Sequence, residues 1–232
     1  MCGRATLAKK PKAIEKRYKA TFEATELVEK NLLPNYNIAP THWHPVLTNE
    51  IDNPLRFFKW GLIPSWAKDA KIASNLINAR IETILDKPAF KCVHQQRCLV
   101  PYDGFYEWKK IGKDRIPYRI ILPDTPIFSV AGIWEIWTNP IGTTIPTFAV
   151  LTQAPNELMQ PIHDRMPAIL SPSQETIWLD NALSIQDILS IIKPYPSELM
   201  KAYRVSSQVN TVKINKPQLL EEVPDFQQGS LF

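Results

Sequence analysis

Proline sets the first limit on how this chain can fold. The 232 residues contain 21 Pro against only seven Gly. Each Pro fixes its own φ and removes a backbone donor, so that density predicts short strands, rigid turns and few long helices. Apolar and β-branched runs recur at 98–101, 105–109, 118–122, 127–137 and 147–152. Gly, Pro and Asp turn signals separate them, as a multi-stranded, mostly antiparallel sheet requires. Further strands are expected at 44–48, 55–61, 202–206 and 211–214, with Pro34–Pro40 as extended, non-helical chain. Short helices are expected at 9–20, 88–93, 156–160, 171–180 and 184–192, with Ser171 as an N-cap and Pro172 just inside. No internal repeat or linker interrupts this pattern. The economical reading is one α+β domain over residues 1–222, with a curled, barrel-like, mostly antiparallel or mixed sheet flanked by short helices. A flexible tail is expected over 223–232.

The apolar fraction of 44% and seven Trp point to a packed globule with a sizeable core. No run approaches the roughly 20 apolar residues that a membrane span needs. Residues 5–20 lack the apolar centre of a signal peptide, so a cytoplasmic monomer is expected. Three Cys give no disulfide framework, and Cys92 and Cys98 lack metal-site spacing and read as small core hydrophobes. His42 and His44 fall on one face of a predicted strand but have no further ligands nearby, so neither metal nor cofactor is expected. The net charge is +4, and its placement says more than its size: residues 1–20 hold seven Lys or Arg against Glu15 alone. A basic surface there suits a polyanionic partner, and the plain alternative is a solvated helix face.

Five positions can carry chemistry. Cys2 follows Met1 directly, and removal of Met1 before a small side chain would leave a free α-amine and a thiol on adjacent carbons. Such an aminothiol condenses with an aldehyde through nitrogen and then closes a five-membered ring through sulfur. An α-amine of pKa near ~8 and a thiol near ~8.5 leave a small reactive fraction of each at neutral pH. Glu107 sits among aromatics in Gly104-Phe105-Tyr106-Glu107-Trp108, where desolvation would tune a carboxyl for acid–base work. Alternation puts Glu107 on the Phe105 face, where a bare carboxylate is expensive; it therefore lines a cleft or is paired. His163 lies in a Pro-bounded loop with Asp164 and Arg165. Asn78 and Arg80 could orient a sugar or phosphate, Arg offering a bidentate fork.

Six blocks taken together resemble a known family. They are Met1-Cys2-Gly3-Arg4, Tyr36–Thr41, Trp60–Trp66, Asn78–Thr83, Arg97–Pro101 with Gly104–Trp108, and Ile162–Pro167. In order and spacing, from Cys2 to about residue 215, these are similar to the SOS-response-associated peptidase (SRAP) family, the HMCES-like abasic-site processing proteins. The resemblance implies a protein that binds single-stranded DNA and joins an abasic-site aldehyde to the processed Cys2 as a thiazolidine. It also implies strand-cleaving lyase ability and self-removal of Met1. Glu107 would be the acid–base group, His163 the active-site His, and Asn78 the holder of the Cys2 backbone and a substrate oxygen. Arg4, Arg80 and Arg165 would line the DNA groove, with Trp66 and Trp108 near the lesion.

The chain ends Gln228-Gly229-Ser230-Leu231-Phe232, similar to a bacterial sliding-clamp-binding peptide, in which Leu231 and Phe232 would fill an apolar pocket and Gln228 would bond at its rim. A protein working at the replication fork is the location this implies. Two other functions compete. An amidohydrolase with an N-terminal Cys nucleophile also begins Met-Cys-Gly, but expects Gly-rich oxyanion loops that seven Gly hardly supply. A non-catalytic single-strand binder needs only the cations and aromatics.

Overall fold

The computed structural model describes residues 2–23, 32–50, 52 and 54–224. In chain order the strands and α-helices are β1 (Ala5–Leu7), α1 (Pro11–Tyr18), β2 (Asn35–Ile38), β3 (Trp43–Thr48), β4 (Leu55–Trp60) and β5 (Asn78–Arg80). There follow β6 (Arg97–Tyr102), β7 (Gly104–Ile111), β8 (Asp114–Ile121), β9 (Phe128–Thr138), β10 (Thr144–Gln153), β11 (Met166–Pro167) and β12 (Ile169–Leu170). The last elements are α2 (Pro172–Leu179), α3 (Ile185–Ile191) and β13 (Lys201–Arg204). Short 3-10 turns link them, including Ala70–Asn75 and Pro88–His94. The α+β expectation holds.

One sheet closes on itself. β10 lies parallel to β4 and antiparallel to β9, and the path β4–β3–β6–β9 completes a mixed five-stranded barrel. Closure abolishes the sheet edges that would otherwise invite mispairing. Gly132 in β9 permits the tight approach: a Cβ there would fall 2.6 Å from Val100 and 2.8 Å from the Cys98 sulfur. Phe58, Trp60, Tyr102, Phe128 and Phe148 fill the interior. The second sheet runs β13–β8–β7–β1–β2, with a smaller core of Tyr106, Tyr203, Val205, Val209 and Leu219 beneath the C-terminal segment.

Proline shortens the helices but not every strand. α1, α2 and α3 span eight, eight and seven residues, each of the first two opening on Pro. β10 nevertheless runs ten residues through Pro146. β4 begins pairing only at Thr147, so Pro146 has one open flank that tolerates a missing N–H. Ser171 caps α2 through a reciprocal box with Gln174, as its sequence predicts. Residues 156–160 form a single turn closed by the Gln160 N–H on the Asn156 carbonyl at 2.9 Å rather than a helix, and two further expectations fail. Residues 211–214 form turns rather than a strand, because the Asn37 amide donates to the Val209, Thr211 and Ile214 carbonyls and curls the chain around one side chain. His42 lies in the turn before β3, while His44 is a core residue bonded to the Pro101 carbonyl at 2.7 Å, with burial lowering its pKa to about 4. The two do not share a strand face.

Among the described residues no helix is long and apolar enough to cross a membrane. Val223 is still tied to the domain by its N–H to the Arg204 carbonyl at 2.9 Å. Met1, Gln228, Leu231 and Phe232 lie outside the described residues.

Arg97 fastens α2 to the barrel. Wholly buried, it donates to the carbonyls of Trp178 (2.7 Å), Asp180 (2.8 Å), His94 (2.9 Å) and Val93 (3.2 Å), and to the Asn181 side chain (3.2 Å). These carbonyls are helix ends that would otherwise be orphaned. Arg97→Met is expected to lower the unfolding free energy in urea by about 3 kcal/mol, the cost of leaving several buried acceptors unpaired.

Candidate functional site

Extended chain places Cys2. β1 pairs with β7 through Ala5↔Phe105 and Thr6↔Gly104, and the Tyr106 N–H continues the ladder onto the Arg4 carbonyl at 3.0 Å. Carried back along the chain, that register brings Cys2 level with the Glu107–Trp108 step. Cys2 is only 4% exposed and Glu107 only 2%. Burial pushes the Cys2 thiol well up, and the charge and hydrogen bond of Glu107 push it the same way, while the Arg165 guanidinium opposes them. Glu107 is itself raised, by burial first, with His163 and the Cys2 thiol pulling the other way. Burial thus disfavours the charged form of both groups.

His163 completes the cluster. Its Nε2 lies 3.8 Å from Glu107 Oε2. Its N–H donates to the Met159 carbonyl at 2.9 Å, within a turn that the Asn156 side chain caps at 3.0 Å. The Arg165 backbone N–H lies 3.0 Å from Nδ1 and the Arg165 carbonyl 3.2 Å from it, so the loop's own backbone fixes the ring with Nε2 turned towards Glu107. Asp164 lies 3.1 Å from Nδ1 on the exposed side. The alternation argument left Glu107 at a cleft or paired; it is both.

A cleft of about 290 Å³ opens above this cluster, lined by Arg4, Glu107, Trp108, Arg115, His163 and Asn210. Arg4 is pinned by its own bonds to Asn37 (2.8 Å), the Val209 carbonyl (2.5 Å) and the Asn210 carbonyl (3.2 Å), and lies over the Trp108 ring at 5.8 Å. The Trp108 indole N–H donates to Asn210 at 2.7 Å. Arg165 does not line this cleft. Its fork closes on both Glu82 oxygens at 2.7 and 2.8 Å and on the Thr152 carbonyl at 2.7 Å, tying the His163 loop to β10 and to the turn after β5.

Asn78, Arg80 and Trp66 lie outside the cleft lining. Asn78 and Arg80 are set by the parallel pairing of β5 with β10, at Val150↔Asn78 and Thr152↔Arg80. Arg80 is exposed. Trp66 is 61% exposed on a loop braced from β9, where Glu135 accepts from the Ser65 N–H at 2.9 Å and the Trp137 indole donates to the Ala67 carbonyl at 2.7 Å. The buried side-chain atoms without a hydrogen-bond partner include both amide atoms of Asn78, the Tyr102 hydroxyl and Glu107 Oε1. Each such group costs about 1–3 kcal/mol unless water or a ligand satisfies it. Burial raises the Tyr102 hydroxyl, and the nearby Cys2 thiol adds to it.

Sequence reasoning missed Arg115, Asn210 and Tyr102. The cations from Lys109 to Arg115 around Gly112 were a legible signal for the first. Asn210 reaches the cleft only through tertiary packing, and Tyr102 reads in the sequence as a core aromatic. Among the described residues, no group of three or more His, Cys, Asp or Glu is gathered as a metal would require.

Comparison with known proteins places these residues in context. The family model for SOS response associated peptidase (SRAP) matches residues 1–212. Abasic site processing protein YoqW of Bacillus subtilis is 43% identical over 225 residues, covering 95% of this chain and 99% of that protein. Abasic site processing protein HMCES of Pongo abelii is 32% identical over 233 residues, covering 82% of this chain and 65% of the relative. A crystal structure of a Bacteroides thetaiotaomicron protein superposes with a TM-score of 0.89 at 32% identity, covering 96% of this chain and all of that one. With the match spanning both sheets and every residue of the Cys2 cluster, the chain belongs to the SOS response associated peptidase family.

Proposed function

We propose that this protein processes abasic sites in single-stranded DNA by joining the ring-opened sugar to Cys2 once Met1 has been removed. The observation that carries the reading is the Cys2 thiol buried against Glu107, whose carboxylate lies 3.8 Å from His163 Nε2 beneath a cleft rimmed by Arg4, Trp108 and Arg115. The names of the relatives from Bacillus subtilis and Pongo abelii, both abasic site processing proteins, support the same substrate.

The chemistry balances without a cofactor. The Cys2 amine adds to the sugar aldehyde, and the carbinolamine loses water to give an imine. Glu107, kept protonated more readily by burial, supplies the proton that the departing water needs. The thiol then adds to the imine carbon and its proton passes to nitrogen, so aminothiol plus aldehyde gives thiazolidine plus water. Burial and the Glu107 charge raise the Cys2 thiol, which favours addition by the amine before the sulfur. The imine also acidifies the neighbouring sugar carbon, and loss of that proton with expulsion of the 3′ phosphate is the lyase branch, in which His163 would take the proton. Asn78, with both amide atoms unpartnered, would hold the Cys2 backbone and a sugar oxygen. Removal of Met1 by the same cluster accounts for the peptidase activity in the family's name.

Arg4, Arg80 and Arg165 are assigned to the DNA groove, Arg165 through its grip on the His163 loop. Trp66 and Trp108 offer faces for base stacking, which is indifferent to sequence. The tail, through Gln228, Leu231 and Phe232, is assigned to the bacterial sliding clamp, which would hold a cytoplasmic monomer at the replication fork.

Cys2→Ser is expected to abolish the heat-stable cross-link to an abasic oligonucleotide on a denaturing gel, yet to retain strand cleavage through the surviving amine. An unchanged cross-linked band would end the proposal. Glu107→Gln is expected to slow cross-linking about 100-fold while DNA affinity, read by anisotropy, stays within error. The same substitution carries a stability signature. Folding raises Glu107 above its unfolded value, so its contribution is full below the unfolded pKa and is lost as pH rises through the folded one. Glu107→Gln should therefore raise Tm relative to wild type, by a margin that grows from acid to neutral pH in parallel melts. A peptide covering residues 223–232 is expected to bind a bacterial clamp in a fluorescence titration and to lose about tenfold or more on Phe232→Ala.

A further inference from the structure

The β7–β8 hairpin carries an arrangement that the Cys2 chemistry does not use. Lys110 on β7 lies directly opposite Arg115 on β8, one step beyond the opposed pair Trp108↔Pro117. Because side chains repeat every second residue, Lys110 and Arg115 stand on the same face as Trp108, which lines the cleft. Both cations are exposed. Among the described residues neither makes an ion pair, although Asp114 is next in sequence to Arg115. Like charges set directly across a strand pair repel and destabilise it unless an anion lies between them.

A second observation, independent of that repulsion, gives the anion a path. Arg115 lines the Cys2 cleft and also a neighbouring groove of about 750 Å³. That groove has apolar walls in Ile111, Ile116, Pro117 and Val205, and its rim carries Arg115 and Arg204 together with one carboxylate, Asp114. The two spaces therefore meet at one guanidinium. A polyanion whose units carry a charged linker and a flat apolar ring fits that sequence of surfaces, and single-stranded DNA is such a polymer.

We propose that Lys110 and Arg115 form a backbone clamp for the DNA strand as it leaves the Cys2 cleft, with the adjoining groove receiving the next nucleobase. This rests on the abasic-site reading and extends it, giving the strand a direction across the protein: past Trp108, between the two cations, and along β8 towards Arg204. Lys110 and Arg115 are binding residues here, remote from the reacting atoms.

The test uses the full chain and oligonucleotides carrying a tetrahydrofuran abasic analogue, which cannot ring-open, lengthened by one to three nucleotides on either side of the lesion. Anisotropy should show wild-type affinity rising with length on one side more than on the other. Lys110→Gln/Arg115→Gln should remove that rise and cut the slope of log affinity against log salt by about 1.4, at about 0.7 for each of two phosphates on a single strand. Lys110→Glu, which turns the repulsive pair into an attractive one, should weaken the length effect while raising Tm. A purely structural role predicts the opposite: lower Tm in the double variant and no change in salt slope. Retention of the full length increment by the double variant overturns the clamp and leaves the Cys2 reading standing. Failure of the wild type both to bind these strands and to cross-link a genuine abasic site overturns the two together.

Discussion

The pairing of β1 with β7 decides where the reactive thiol lies, and nearly everything around it serves to hold that register. Cys2 belongs to no helix and sits beyond the end of a three-residue strand, so its position is only as firm as the few bonds behind it. Asp103 is the post to which they run. It accepts from the Thr6 hydroxyl at 2.5 Å and the Ala8 N–H at 2.8 Å, and Arg119 braces it at 3.3 Å. Gly104 makes room for that brace, since a Cβ there would fall 2.9 Å from the Arg119 guanidinium. Arg4 holds the other flank by gripping the Val209 and Asn210 carbonyls. A thiol placed by extended chain thus acquires fixity from the bonds on both of its flanks.

Two buried carboxylates four residues apart show how the same chain separates structure from chemistry. Asp103 has donors on both oxygens and an arginine beside it, so every lone pair that burial would penalise is used. Glu107 has one oxygen with no partner and faces His163 at 3.8 Å, beyond normal hydrogen-bond length. Satisfying Glu107 as fully as Asp103 would favour its charged form. Its raised pKa is the thermodynamic trace of that incompleteness, and the domain carries the cost because its core elsewhere is well paired.

Most of the fold was legible because hydrophobic period and turn chemistry agree along the chain. The runs ending in Tyr102, Ile121, Thr138 and Gln153 are strands, and Ser171-Pro172 opens a helix, as local pattern predicts. The failures have a common origin in side chains that reach across sequence. Residues 211–214 have strand-like composition but are organised by one Asn37 amide from far earlier in the chain. His42 and His44 look like a pair until the turn at Ala39–His42 and the Pro101 carbonyl claim them separately. The positions of Cys2, Glu107 and His163 could be named from motifs, yet their convergence depends on the β1–β7 register and on the loop after β10, neither of which period alone supplies.

Counting cations in the sequence overstates the surface available to a polyanion. Arg97 and Arg119 are buried and consumed by carbonyls, a hydroxyl and a carboxylate, and Arg165 closes its fork on Glu82. Arg17 in α1 is likewise taken by Glu175 at 2.5 Å, so part of the basic N-terminal stretch is spent on packing. Near the site, exposed cations include Arg80 at the end of β5 and the opposed Lys110 and Arg115 of the hairpin. The internal arginines make the site rigid, and the unpaired cations outside it leave charge for a phosphate backbone to neutralise. Steering and positioning are thus divided between different residues of one type. A charge removed from the first group should cost stability, and one removed from the second should cost salt-sensitive binding.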